Sequence, residues 1–188
     1  FAARRPEKVV GIIYRDGVAT PEWTNRRGPL ARALAPILTD MAPIVDIWAA
    51  VALDVPDLLF GHFATTMRAL WPDLKSNTKK FAQSIPVAAL LFELDLTESV
   101  RAVAELEIPI YAIWGCIDRV VTAEAADGFA AASGVAIQWV PGGHSWMLAR
   151  PSGQKDLLCA VPSGQRFLET ITDRWSVPQS APRLRRVV

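Results

Sequence analysis

Two short loops carry the residues of this 188-residue chain that could do acid–base chemistry. The first runs Trp114-Gly115-Cys116-Ile117-Asp118-Arg119-Val120-Val121, and the second Val140-Pro141-Gly142-Gly143-His144-Ser145-Trp146. A carboxylate beside an imidazole has a defined use. Asp accepts the Nδ1 proton, fixes the tautomer and stabilises the imidazolium, which leaves Nε2 to act as a general base. Taken singly, a loop Asp is usually a turn former and a loop His a satisfied structural group. As a pair leaving neighbouring strands, Asp118 and His144 are candidate catalytic residues, because ligands in open α/β sheets bind beyond the carboxyl ends of the strands.

Three segments, 9–14, 108–114 and 135–140, have the β-branched, weakly alternating character of strands covered on both faces of a parallel sheet. Between the second and third lies TAEAADGFAAAS, read as a helix with Thr122 as its N-cap and Gly134 just past its end. Strand, helix and strand in that order form a βαβ unit. Thr97 is expected to cap a helix over 98–107, with Val100, Val103 and Ala104 on one face. Residues 1–7 read as the tail of another helix, ended near Pro6. The fold class is α/β, with three parallel strands.

The middle of the chain differs. Residues 18–96 carry little strand signal, and Pro29, Pro43, Pro56 and Pro86 each stand where a first-turn proline precedes an apolar segment. Leu30, Leu34, Ile37, Leu38 and Met41 trace one helical face; Phe60, Phe63, Met67 and Leu70 trace another. This predicts a helical cap over 18–96, far longer than an ordinary connection, inserted into a core formed by 1–17 and 97–175. PSGQ occurs at residues 151–154 and again at 162–165, which reads as a local duplication in a loop. Residues 176–188 form a basic tail expected to fray.

Composition narrows the partners. With 51% apolar and 21% charged residues, disorder and coiled coil are excluded as descriptions. A net charge of +1 offers no field for nucleic acid or an anionic membrane. Two cysteines and two histidines give neither a disulfide framework nor a metal cluster, so no cofactor is expected. Cys116 and Cys159 read as small buried or chemically indifferent residues. No apolar run reaches the roughly 18–20 residues of a membrane span, and the basic start is too briefly followed by apolar residues for a signal peptide. A cytoplasmic protein is the expectation. The chain opens at Phe1, within the helical segment read above, as expected if its beginning was removed or if it is a piece of something longer.

IPIYAIWGCIDRVV followed by VPGGHSWM resembles the acid and histidine loops of the α/β-hydrolase superfamily, and FAARRPEKVVGIIYRDG resembles its stretch after the nucleophile helix. The order of the three motifs, with a helical insertion between them, is the family's order beyond its nucleophile, over residues 1–175. The resemblance implies that Asp118 is the triad acid and His144 the triad base. It also implies Asp16 as an alternative acid, the position used by members resembling haloalkane dehalogenases; Asp118 is preferred for its G-x-x-D-x-V-V context, which leaves Asp16 as a turn residue before Gly17. His62 reads as a packing or surface residue. Trp48, Trp71, Trp114 and Trp146 read as aromatic core, with pocket lining the alternative.

The sequence departs from the family in one respect. The family's nucleophile sits in a G-x-S-x-G elbow, and no such motif occurs among these 188 residues. By analogy it would lie upstream of Phe1. Two functions follow. One is the C-terminal part of a hydrolase acting on a small apolar ester-like substrate, inactive in isolation, with epoxide, C–C or haloalkane hydrolysis as alternative chemistries. The other is a non-catalytic remnant or interaction module of the same origin. The family's strand order further implies an unpaired edge at residues 9–14, open to self-association.

Overall fold

The computed structural model describes residues 1–23, 94–150 and 152–176, together with Arg68, Trp71, Pro72 and Lys75. Three parallel strands, β1 (Ile12–Arg15), β2 (Ile110–Gly115) and β3 (Ile137–Val140), form one sheet in the order β1-β2-β3. Ile12 pairs with Ile110, and Ala112 with Ile137. The α-helices around the sheet are α1 (Thr97–Glu105), α2 (Ala123–Ser133), α3 (Trp146–Ala149), α4 (Gly153–Ala160) and α5 (Pro162–Ser176), and Arg68, Trp71, Pro72 and Lys75 are helical as well. The class is α/β, as the sequence implied.

The strands start later than their apolar runs, for local reasons. Pro109 has no N–H to give to a ladder; its carbonyl accepts the Ile12 N–H at 2.8 Å, and the β1–β2 pairing begins there. The Val135 N–H is taken by the Ser133 hydroxyl at 3.2 Å, so β3 opens two residues further on. Burial on both faces holds only for β2, which lies in the centre. Strand β1 alternates between half-buried and exposed residues, with Ile13 exposed, and Trp139 of β3 is exposed as well. A run of β-branched residues marks a strand but not how many of its faces are covered.

Alternate residues of β2 point to opposite sides, and each side has its own core. Ala112 and Trp114 pack with Ala19, Trp23, Val120 and Val121 and with Ala125, Ala126 and Phe129 of α2; Val100 of α1 joins them. Tyr14 stacks on Phe129 at a centroid distance of 4.1 Å. On the other side, Tyr111 and Ile113 pack with Val140, Trp146 and Phe167 of α5.

Helix ends follow the marked residues in part. Gly134 closes α2 at φ 69°, a left-handed conformation that glycine adopts without a Cβ clash. Thr122 holds the N-cap position, though through its carbonyl, which accepts the Ala125 and Ala126 N–H groups, rather than through its hydroxyl. Thr97 is not the cap of α1. Asp95 Oδ1 accepts the Thr97 N–H at 2.9 Å, so the helix starts one residue earlier than expected. It also ends earlier, where Glu107 turns to φ 53°. At the start of the chain, the expected helix tail is a turn closed onto the Phe1 carbonyl and a short 3-10 turn over Pro6–Lys8. Residues 152–154 and 162–165 of the PSGQ repeats are not in a loop either: they stand at the starts of α4 and α5, and a Cβ at Gly164 would run into the Leu157 carbonyl where the two helices meet.

Residues 24–67 and 76–93, which hold most of the expected cap together with His62 and Trp48, and residues 177–188 of the expected tail, lie outside the described residues. The stem of that insertion is described. The Ala19 carbonyl accepts the Leu96 N–H at 2.7 Å, so the chain leaves and re-enters the core at one point.

Candidate acid–base site

Asp118 lies in the loop after β2 and His144 in the loop after β3, so both stand at the carboxyl edge of adjacent parallel strands. The structure brings them into contact. His144 Nδ1 is 2.9 Å from Asp118 Oδ2. The other carboxylate oxygen, Oδ1, accepts the Val120 N–H at 2.7 Å and the Val121 N–H at 2.8 Å. An ionised carboxylate only accepts, so Nδ1 carries the proton toward Asp118 and Nε2 is left as the basic nitrogen. The Asp118 side chain is 1% exposed and that of His144 is 35% exposed, which puts the acid inside and the base at the surface.

The segment that holds Asp118 is itself held. The Trp114 indole donates to the Val121 carbonyl at 2.8 Å, and the Trp23 indole to the Val120 carbonyl at 3.1 Å. Two buried indoles thus fix the residues whose N–H groups orient the carboxylate. Trp114, fully buried, and Trp146, 3% exposed, are core residues, as expected; Trp71 is exposed instead.

The two loops are laced together by backbone. The Cys116 N–H donates to the Val140 carbonyl at 2.9 Å, and the Ile117 N–H to the Gly142 carbonyl at 3.1 Å. This approach leaves no room for a side chain at Gly115, whose Cβ would stand 2.6 Å from the Gly143 oxygen and 2.7 Å from the Gly142 oxygen. Cys116 and Cys159 are both exposed, which sets aside the buried half of the reading of each as a small buried or chemically indifferent residue.

Asp16 is more than a turn residue. It ends β1 at φ 38°, is 4% exposed, and accepts the Gly115 N–H on Oδ1 at 2.8 Å and the Trp146 indole N–H on Oδ2 at 2.6 Å. Burial pushes its carboxyl up to about 6; the two hydrogen bonds oppose that shift, Asp118 adds to it and the His144 charge opposes it. Asp16 therefore shares the electrostatic neighbourhood of the pair, while both of its oxygens are bonded to other donors. The Asp16–Trp146 link was not foreseen. Its only local signal is a residue type tolerant of the left-handed region, next to Gly17.

Among the described residues, no group of three or more His, Cys, Asp or Glu side chains is placed to hold a metal ion, and no helix is long and apolar enough to cross a membrane. The chain matches no family model, no curated protein and no solved structure.

Proposed function

We propose that Asp118 and His144 are the orienting acid and the general base of a hydrolase site of the α/β-hydrolase type, acting on a small apolar ester-like substrate. The observation that carries this reading is the 2.9 Å contact between His144 Nδ1 and a buried carboxylate, made by loops that leave adjacent parallel strands. In this mechanism His144 Nε2 takes the proton of a nucleophile as it attacks the acyl carbon. Asp118, bonded on the far side of the ring, stabilises the imidazolium that results. The proton then passes to the leaving group. The chain's resemblance to the family's post-nucleophile motifs and the single stem of its long insertion at Ala19 and Leu96 support a capped site. A nucleophile would come from a G-x-S-x-G elbow, which these 188 residues do not contain; an Asp in its place would attack as a carboxylate with no proton to give, and Nε2 would then take the proton of the water that releases the product.

The test has two parts. The reading frame upstream of the Phe1 codon is sequenced for such an elbow, and the polypeptide that carries it is assayed against p-nitrophenyl esters of increasing chain length. His144→Ala is expected to lower kcat by ~10³–10⁴-fold. An unimpaired His144→Ala variant overturns the assignment. A genuine start codon nearby with no elbow in frame would favour the non-catalytic reading.

A further inference from the structure

Asp16 takes no part in the proposed proton transfer, yet it touches both loops that do. Its two acceptor bonds join Gly115, where the acid loop begins, to Trp146, two residues beyond His144. It holds this place in a backbone conformation, φ 38°, that an L-residue other than Asn or Asp seldom adopts. Strain of this kind persists where surrounding structure determines it. The bonds select a carboxylate in particular. Gly115 and Trp146 each present an N–H that cannot be given up, so both oxygens must accept. The isosteric amide would turn an NH₂ group against one of them. The groups facing this carboxylate are therefore the Gly115 amide, the Trp146 indole and, at longer range, the charges of Asp118 and His144. A buried carboxylate kept ionised against its own desolvation is a costly way to fill a core, which argues for a task that a neutral side chain would not perform.

We propose that Asp16 is the positioning residue of this site, clamping the Gly115 amide to the Trp146 indole so that the histidine loop holds His144 against Asp118. The proposal rests on the reading of His144 as the base, but its test needs no turnover. The proton on His144 Nδ1 is followed by NMR in the chain, together with the Trp146 indole proton. Trp146→Phe removes the indole donor and leaves every charge in place; Asp16→Asn removes the second acceptor. Exchange of the His144 Nδ1 proton with solvent is expected to rise at least about tenfold in each variant. The double variant should show no further increase, because both changes break one link. Unchanged exchange in a folded Trp146→Phe variant overturns the proposal.

Should both variants fail to fold, the parent chain decides. If the clamp holds the loop, the two protons exchange through one opening and share its rate. Exchange of the His144 proton that is independent of the Trp146 indole proton overturns the clamp. Failure of the hydrolase reading looks different: His144→Ala keeps its activity while the two protons remain coupled.

Discussion

Two aspartates stand at adjacent strand ends of one sheet, and their surroundings give them opposite capacities. Asp118 is bonded by two backbone N–H groups and by an imidazole that reaches the surface. Asp16 is bonded by one backbone N–H and one indole. Both carboxylates are buried, and both accept from nitrogen. What separates them is whether a donor can itself titrate. An imidazole gains and loses a proton in the neutral range, so Asp118 can stabilise charge that forms on a group at the surface. An amide and an indole do not, so Asp16 can hold its neighbours but has no such charge to stabilise. On the proposed reading, the identity of the donors, more than depth or distance, divides acid from clamp.

The largest expected effect falls on turnover. If the proposed hydrolase reading holds, Asp118→Asn in the polypeptide that supplies the nucleophile should lower kcat by about 10⁴-fold, because the amide leaves His144 in the wrong tautomer. Asp16→Asn should cost only about 10²-fold, the scale of a misplaced but chemically intact group. Equal losses in kcat would dissolve the distinction between the two carboxylates.

The next effect separates them by pH. The Asp16 carboxyl is raised from 3.8 to about 6 on folding. Between those values the folded chain binds the extra proton, so this group's stabilisation is fully present below about 4 and is lost as pH rises through about 6. The span corresponds to roughly 3 kcal/mol. Asp16→Asn abolishes that dependence. Denaturant unfolding at pH 4 and pH 7 should therefore show the stability of Asp16→Asn, relative to the parent, improving by about 2.4 kcal/mol toward pH 7. A relative stability that does not change over this range would remove Asp16 from the list of carboxyls ionised at a cost.

Gly115→Ala tests the connection between the two aspartates. Its Cβ would meet two backbone carbonyls of the histidine loop, neither of which can rotate away as a flexible side chain would. The loops should separate at a cost of about 1–3 kcal/mol, measured by urea unfolding. Gly153→Ala serves as the contrast, since its nearest neighbour would lie at 3.5 Å. Comparable losses in the two variants would mean that the loops are not held by their close approach.

How much of this was legible depended on the range of the interactions. Asp118 and His144 could be found because each follows a β-branched run and sits among glycines, a signal contained in a few consecutive residues. Gly134 was legible for the same reason. The Asp16–Trp146 bond spans 130 positions and the Trp23–Val120 bond 97, and contacts of that range leave no periodicity to read. Local competition hid other details. Asp95 and Thr97 both offer a capping oxygen within two residues, and the sequence does not say which one reaches the amide. Burial of β1 was overestimated because its composition matches that of β2, while its position at one end of the described sheet depends on strand order.

The smallest effect is the sharpest test of the donor argument, because it sets the same substitution at both sites. Asp118→Asn keeps an oxygen for the Val120 and Val121 amides and turns its NH₂ toward His144 Nδ1. The ring can answer by moving its proton to Nε2, so Nδ1 accepts and the contact survives in reverse. Asp16→Asn has no such escape, because the Trp146 indole nitrogen is a donor in every state. The exchange needs a neutral imidazole, so the comparison belongs at pH 8, with the relief of the Asp16 ionisation cost, about 3 kcal/mol, added back to the Asp16→Asn result. On that basis Asp118→Asn should cost under about 1 kcal/mol, the worth of a typical neutral hydrogen bond, and Asp16→Asn about 1–3 kcal/mol, the penalty of a buried unsatisfied donor. A reversed order would mean that His144 cannot exchange tautomers at this contact, and that Asp118 fixes the ring in the single tautomer that leaves Nε2 basic.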